Sequence, residues 1–361
     1  MSEYPRLRVD LKKFRHNVDE MTKLCEANGI SVAGVIKGYS GIPECTIEFE
    51  RGGVSFIASS RLEQLRAARE AGIKVPLMAI RPPMISEIQE VVEIAEYSLN
   101  SEIEVLKLLN EEAKKQGKIH NVILMVDLGD LREGFWDKEE FLKAGLLVEN
   151  DLKNLHLAGT GTNLGCYGSI VATTEKLEEL VDATEELEEV IGRRVEYISG
   201  GGSTSTPRLL EKNMPERINH LRIGEAILLA KDMEEQYGYD YSFMNKDVFV
   251  LEAEVIEVRD KPSHPVGEIG YDSFGNKEVY EDRGIRKRAL IGIGKVDYAF
   301  TDKIYPREEG IEVLGASSDH TILDVENMKR DIKLGDVVAF DVSYATMVFV
   351  TNTPNVKLKF I

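Results

Sequence analysis

Up to Glu235 the chain alternates short β-rich apolar runs with longer amphipathic segments, and this alternation restricts the possible folds more than any other feature. The runs lie at Ser31 to Ile36, Val54 to Ala58, Val75 to Ile80 and near Tyr97, then at Val122 to Val126, Leu155 to Thr160, Val195 to Ser199 and Ile218 to Ile223. Between them Leu62, Leu65, Ala68 and Ala71, or Leu177, Leu180, Val181, Ala183 and Leu187, recur at helical period with charges on the other face. A helical stretch from about Leu11 to Asn28 precedes the first run. Successive parallel strands need crossover helices, and eight of them close around a packed interior. The expected fold is therefore α/β, with an N-terminal (β/α)8 barrel of the TIM type over residues 1–235. An open sheet of seven or eight strands is the structural alternative, because the run near Tyr97 is the weakest of the eight.

The pattern changes near Tyr237. From Asp247 onward, apolar runs such as Val248 to Val255, Lys287 to Ile293, Thr321 to Val325, Val337 to Phe340 and Met347 to Val350 are separated by turn-rich stretches such as Lys261 to Pro265. They read as strands of a C-terminal all-β domain over residues 245–361. A hydrophobic share of 43% beside 30% charged residues is globular rather than disordered composition. With 45 Lys+Arg against 63 Asp+Glu, the net charge of −18 argues against a nucleic-acid partner, since phosphate backbones need a basic surface. No stretch approaches the roughly 20 apolar residues that span a bilayer, and the first residues lack the apolar core of a signal peptide. Cys25, Cys45 and Cys166 form neither a CxxC pair nor an even set, which fits a reducing compartment. A cytoplasmic protein without membrane or nucleic-acid partners is expected.

Active sites of such barrels lie at the C-terminal strand ends, so the residues after each run belong together. The first run ends Gly34-Val35-Ile36-Lys37. A lysine there is costly if desolvated, unless its stem simply snorkels to water. After the seventh run comes Ser199-Gly200-Gly201-Gly202-Ser203-Thr204, and after the eighth Arg222-Ile223-Gly224-Glu225. Glycine-rich turns and helix starts at these two positions commonly bind phosphate. A strand-one lysine facing a phosphate cradle describes a phosphate-bearing carbonyl cofactor held as a Schiff base, which would be pyridoxal 5'-phosphate.

Three spaced segments carry a family resemblance: Gly34 to Tyr39, Val126-Asp127-Leu128-Gly129-Asp130-Leu131-Arg132-Glu133-Gly134, and His220-Leu221-Arg222-Ile223-Gly224-Glu225-Ala226-Ile227-Leu228. With Ser318-Asp319-His320 and the residues after it, they resemble the alanine racemase family over almost the whole chain. Asn163 to Gly168, the Ser199 to Thr204 loop and Gly315 to His320 look most like its ornithine racemase branch. The resemblance implies a barrel followed by a β domain, and Lys37 as the cofactor lysine and proton carrier on one face of the substrate Cα. It implies Arg222 at the pyridine nitrogen and Arg132 near the ring hydroxyl and substrate carboxylate. Ser203, Thr204, Gly224 and Glu225 would grip phosphate, Asn163 would contact the cofactor, and Tyr344 loosely matches a late phosphate-touching tyrosine.

Departures accompany the resemblance. Ile293 stands where the family has the partner-subunit tyrosine that serves as second base. Ser317, Ser318, Asp319 and His320 are the first candidates to replace it, across the interface of a head-to-tail homodimer, with Tyr298 and Cys166 behind them. A structural histidine bound by Asp319 or Asp324 is the alternative for His320. The expected function is an amino-acid racemase acting on ornithine, with Asp297, Asp319 or Glu133 for the side-chain ammonium. A racemase of lysine or of broad specificity, a cofactor carrier, and a barrel-type decarboxylase or dehydratase are the alternatives. No ligand pair suggests a metal.

Overall fold

The computed structural model describes residues 3–361. In chain order the first elements are β1 (Arg6–Val9) and α1 (Leu11–Glu26). The next are β2 (Ser31–Val35), α2 (Pro43–Arg51), β3 (Phe56–Ser59), α3 (Leu62–Glu70), β4 (Leu77–Ala79), α4 (Ile88–Ile94), β5 (Tyr97–Asn100) and α5 (Ile103–Gln116). The alternation continues through β6 (His120–Met125), α6 (Lys138–Asn150), β7 (Leu155–Gly161), α7 (Thr174–Ile191), β8 (Tyr197–Ser199), the single turn α8 (Pro207–Leu210) and β9 (His220–Ile223). Strands β2 to β9 pair in sequence order, and β9 returns to β2 in parallel register from Ser31↔His220 to Gly34↔Ile223. The sheet is thus a closed barrel, the run near Tyr97 is one of its strands, and the open-sheet alternative falls away.

Closure is driven by what the strands bury. Ala33, Val35, Phe56, Ala58, Met78, Leu99, Ile123 and Met125 form one buried cluster. At the N-terminal strand ends Phe56 stands edge-on to Tyr97 (5.2 Å), Tyr197 (5.5 Å) and His220 (5.3 Å). This aromatic plug fills one end of the barrel, where such folds put stability, and leaves the C-terminal ends for chemistry. The surrounding helices present apolar stripes inward: α1 buries Phe14, Val18, Met21 and Cys25.

Beyond the barrel strands come the single-turn helices α9 (Glu225–Leu228) and α10 (Asp232–Glu235). A second compact unit combines the segment up to Leu11 with Lys246–Ile361; the first unit is Lys12–Asn245. The second holds β10 (Phe249–Pro262), β11 (Ile285–Ile291), α11 (Lys295–Tyr298), β12 (Ile304–Pro306), β13 (Glu312–Ala316), β14 (Thr321–Asp324), β15 (Val337–Val342), α12 (Tyr344–Val350) and β16 (Lys357–Phe360). Its sheet runs β12-β15-β10-β11-β14-β13, and β1 joins between β10 and β16.

Two features differ from the sequence expectation. Arg6–Val9 pairs antiparallel with β10 and parallel with β16, so the first strand belongs with the C-terminal sheet. Its Leu7 and Val9 are fully buried, while Arg6 and Arg8 each donate to the Glu252 carboxylate, at 2.6 and 2.9 Å. The run Met347 to Val350 is helical rather than extended, because Ser343 Oγ accepts from Thr346 N (3.3 Å) and caps α12. Among the described residues no helix is long and apolar enough to cross a membrane.

Candidate active site

Lys37 opens a tight turn directly after β2. The turn is anchored by Tyr39, which is fully buried, packs against Phe14 and Phe49, and shares a hydrogen bond with Thr46 Oγ1 (3.2 Å). Burial pushes the Lys37 pKa down from 10.5; Arg132 and Arg222 press the same way, while Cys166 and Glu133 oppose them. A neutral, nucleophilic amine is therefore easier to reach here than on an exposed lysine.

Arg222 lies on β9 with its guanidinium sealed from water, and burial lowers its pKa to about 10. It donates through one terminal nitrogen to Thr162 O (2.7 Å) and through the other to Ser199 Oγ. Ser199 in turn bonds His220 Nδ1 (2.7 Å), whose pKa burial and the Arg222 charge drive down to about 3. The imidazole is thus neutral, and this chain across β8 and β9 fixes the guanidinium from behind.

Arg132 forms a two-pronged ion pair with Glu133, in which its Nε and a terminal nitrogen both donate. Burial opposes the Arg132 charge, but the Glu133 carboxylate outweighs it and raises the pKa. Two residues earlier, buried Asp130 gathers the loop after β7: its carboxylate accepts from Gly165 N (2.9 Å), Tyr167 N (3.1 Å) and Ile170 N (3.4 Å). That loop carries Asn163 and Cys166, whose thiol donates to Asn163 Oδ1 (3.6 Å). The Asn163 Nδ2 is buried without a partner.

The loops after β8 and β9 meet at Ser203, whose Oγ accepts from Ala226 N (3.1 Å) and Gly224 N (3.4 Å). Thr204 Oγ1 donates to Leu164 O (2.9 Å) and ties this turn to the Asn163 loop. Close approach explains two glycines: a Cβ on Gly202 would lie 2.9 Å from Arg222 O, and one on Gly224 would lie 3.2 Å from Val35 Cβ. The Glu225 carboxylate accepts through Oε1 from Lys231 N (3.1 Å) and Asp232 N (3.2 Å) while Oε2 is buried without a partner, and burial, with Asp232 nearby, raises its pKa to about 7.

Residues 9–232 match the family model for the alanine racemase N-terminal domain. The chain belongs to the alanine racemase family. It is 40% identical over 344 residues to the ornithine racemase of Acetoanaerobium sticklandii, spanning 95% of this chain and 96% of that protein. It is 39% identical over 356 residues to the lysine racemase of Thermotoga maritima, spanning 98% of both. Among solved structures, the alanine racemase of Bartonella henselae with covalently bound pyridoxal phosphate superposes with a TM-score of 0.75 at 16% identity, covering 100% of both chains. The last likeness is one of fold.

Of the residues singled out from sequence, Lys37, Arg132, Asn163 and Arg222 gather at the barrel mouth, beside Ser203, Thr204, Gly224 and Glu225. Ser318, Asp319, His320 and Tyr344 belong to the second unit. Ser318 to His320 form the turn between β13 and β14, closed by Ser317 N to His320 O (2.9 Å), with Asp319 and His320 exposed. Asp324 is paired with Arg286 (2.8 Å). Ile293 is buried, as is Tyr298, which bonds Thr321 Oγ1 (2.6 Å). Asp297 is buried and accepts from Thr353 Oγ1 (3.0 Å) and Asn355 Nδ2 (2.9 Å).

Sequence reasoning passed over Asp130, Ser199 and His220 as site-building residues. His220 had a signal: it stands two residues before Arg222 on one strand, hence on the same face. Asp130 had none, because its partners are backbone amides of a distant loop.

Proposed function

We propose that the protein is a pyridoxal phosphate-dependent racemase that interconverts L- and D-ornithine. The observation that carries this reading is Lys37, a half-buried lysine just after β2 with a lowered pKa, held in the company of the sealed guanidinium of Arg222. The residues present fit the cofactor. Asn163 offers a buried amide donor without a partner, and Gly202 and Gly224 leave the strand ends bare of side chains beside Ser203 and Thr204. The covalently bound pyridoxal phosphate of the Bartonella henselae protein supports the same group here.

Bound pyridoxal phosphate supplies an electron sink that acidifies the substrate Cα–H. Lys37 would hold the group, and its amine would take or return the Cα proton on one face. Arg222, with a pKa of about 10, keeps its proton at neutral pH and would donate to the ring nitrogen without protonating it. Such a contact would limit electron withdrawal and favour reprotonation at Cα over longer reaction paths. Ser203 and Thr204 and the amides of Gly224 and Glu225 would hold the phosphate. Arg132, braced by Glu133, meets the substrate carboxylate.

Ornithine as substrate is supported by the relative at 40% identity. Lysine is the second reading, favoured by the relative at 39%. Of the three carboxylates proposed for the distal ammonium, Glu133 is paired and Asp297 is buried, whereas Asp319 is exposed. We place it, with Ser318 and His320, against the substrate side chain of a second copy in a head-to-tail homodimer.

Borohydride reduction of the loaded protein followed by peptide mapping tests the assignment. The cofactor should be fixed to Lys37, and Lys37→Ala should lose both the adduct and racemisation of ornithine. Racemisation retained in that variant would sink it.

A further inference from the structure

An arginine holds a substrate carboxylate best when it is already in place, because ordering its long side chain at the moment of binding costs entropy. Arg132 meets that carboxylate in the reading above, yet its side chain is 37% exposed. Its partner Glu133 is the next residue, so their ion pair ties the guanidinium to its own loop rather than to the barrel. Asp127 shapes that loop from within, its Oδ1 accepting from Gly129 N (2.9 Å) and Leu131 N (3.1 Å), and the root is closed by Phe135 N to Met125 O (2.8 Å). The place of the ion pair is then set by what docks the tip.

Asp130 ties the tip to the loop after β7. It is 1% exposed, and its carboxylate accepts from Gly165 N (2.9 Å) and Ile170 N (3.4 Å) through Oδ1 and from Tyr167 N (3.1 Å) through Oδ2. Its carbonyl accepts from Gly168 N (3.0 Å), and a Cβ added to Gly168 would lie only 2.6 Å from that oxygen. Bonds to a sealed carboxylate are charge-assisted and costly to break, since the charge would be left unpaired. We propose that Asp130 is a positioning residue for substrate binding, clasping the two loops so that the Arg132 guanidinium stands where the substrate α-carboxylate arrives. This deepens the racemase reading and rests on it.

The action of the clasp is confined to the carboxylate end of the substrate. The start of the partner loop is anchored separately, by Thr162 N to Ser199 O (3.1 Å), Thr162 Oγ1 to Val126 O (2.9 Å) and Thr204 Oγ1 to Leu164 O (2.9 Å), so Asn163 keeps its place without Asp130. Lys37 opens the turn after β2 and Arg222 lies on β9, outside both loops. Losing the clasp therefore loosens the grip on a carboxylate and leaves the residues proposed for the cofactor in place.

The test compares ornithine with 1,4-diaminobutane, which is ornithine without its carboxylate, by the absorbance change of the bound cofactor in loaded protein. Asp130→Asn can still accept through one oxygen but turns an NH2 group towards a backbone N–H. It should weaken ornithine binding about tenfold or more and 1,4-diaminobutane binding by no more than about threefold. The loss in racemisation should fall on KM rather than kcat. In an Arg132→Met background the same substitution should change ornithine binding less than about twofold, because the route through the guanidinium is gone. Equal losses for the two ligands would mark a general disturbance of the site and overturn the proposal, as would losses that add fully to those of Arg132→Met. Gly168→Ala crowds the Asp130 carbonyl without touching the buried charge, and carries the test if Asp130→Asn does not fold. It should weaken ornithine at least about threefold more than 1,4-diaminobutane, and an equal effect on the two, or none on ornithine, would overturn the proposal as well. If the unchanged protein binds neither ligand and racemises nothing although Lys37 traps the cofactor, the racemase reading fails. If it racemises ornithine and the two ligands respond alike to the variants, the clasp alone fails.

Discussion

At the scale of single residues, the site is a set of charges whose usual behaviour is altered by burial. Lys37 is the central case: desolvation, aided by Arg132 and Arg222, disfavours its ammonium form. The reactive form is the neutral amine, so attachment of pyridoxal phosphate to apoprotein should quicken with rising pH and level off below the ordinary lysine value of 10.5. Stopped-flow absorbance across pH 6 to 11 measures this, and an inflection at or above the free-lysine value would contradict the burial argument. Lys37 and Arg222 were legible in sequence because each ends an apolar run at the face where barrels do chemistry. Asp130 and Ser199 were not, since their value lies in what they hold from across the fold: one pins a loop by its amides, the other links Arg222 to His220. Hydrogen bonding of that kind leaves no periodic trace.

At the scale of elements, the barrel strands also store pH dependence. His120, at the start of β6, is buried, bonds Ser98 Oγ (2.8 Å), and has its pKa lowered to about 4 by desolvation. Between that value and the unfolded 6.5 the unfolded chain binds the extra proton, so this contribution to stability is full above pH 6.5 and fades as pH falls towards 4. At pH 5 the loss is roughly 2 kcal/mol. His220 acts in the same direction, whereas Glu225, with its pKa raised to about 7, favours folding at low pH and loses that contribution as pH rises through 7. Urea denaturation of His120→Asn should therefore show the gap between pH 7 and pH 5 stability narrowed by roughly 2 kcal/mol; an unchanged gap would refute the assignment. All eight barrel strands were legible because parallel strands buried on both faces read as apolar runs. The run Met347 to Val350 misled because four consecutive apolar residues fit a strand or a buried helix equally, and the deciding cap at Ser343 lies upstream.

At the scale of the whole molecule, both ends of the chain meet in one sheet, where β1 is held between β10 and β16. A four-residue strand with two arginines gave no sign of this, because its charges are satisfied by Glu252, far along the sequence. The β unit also bears the turn from Ser318 to His320 that we place at the substrate of a second copy. Sedimentation of the loaded protein should then find a dimer as the active species, and a fully active monomer would contradict the shared site. The claim that matters most is racemisation of ornithine. The direct measurement is incubation of cofactor-loaded protein with L- or D-ornithine in D₂O, alongside lysine and alanine, following Cα deuterium by NMR and the enantiomer ratio by chiral chromatography. Both ornithine enantiomers should gain deuterium and converge on an equal mixture, faster than lysine and much faster than alanine. Absence of exchange and inversion with ornithine, in protein whose Lys37 carries the cofactor, would contradict the function proposed here.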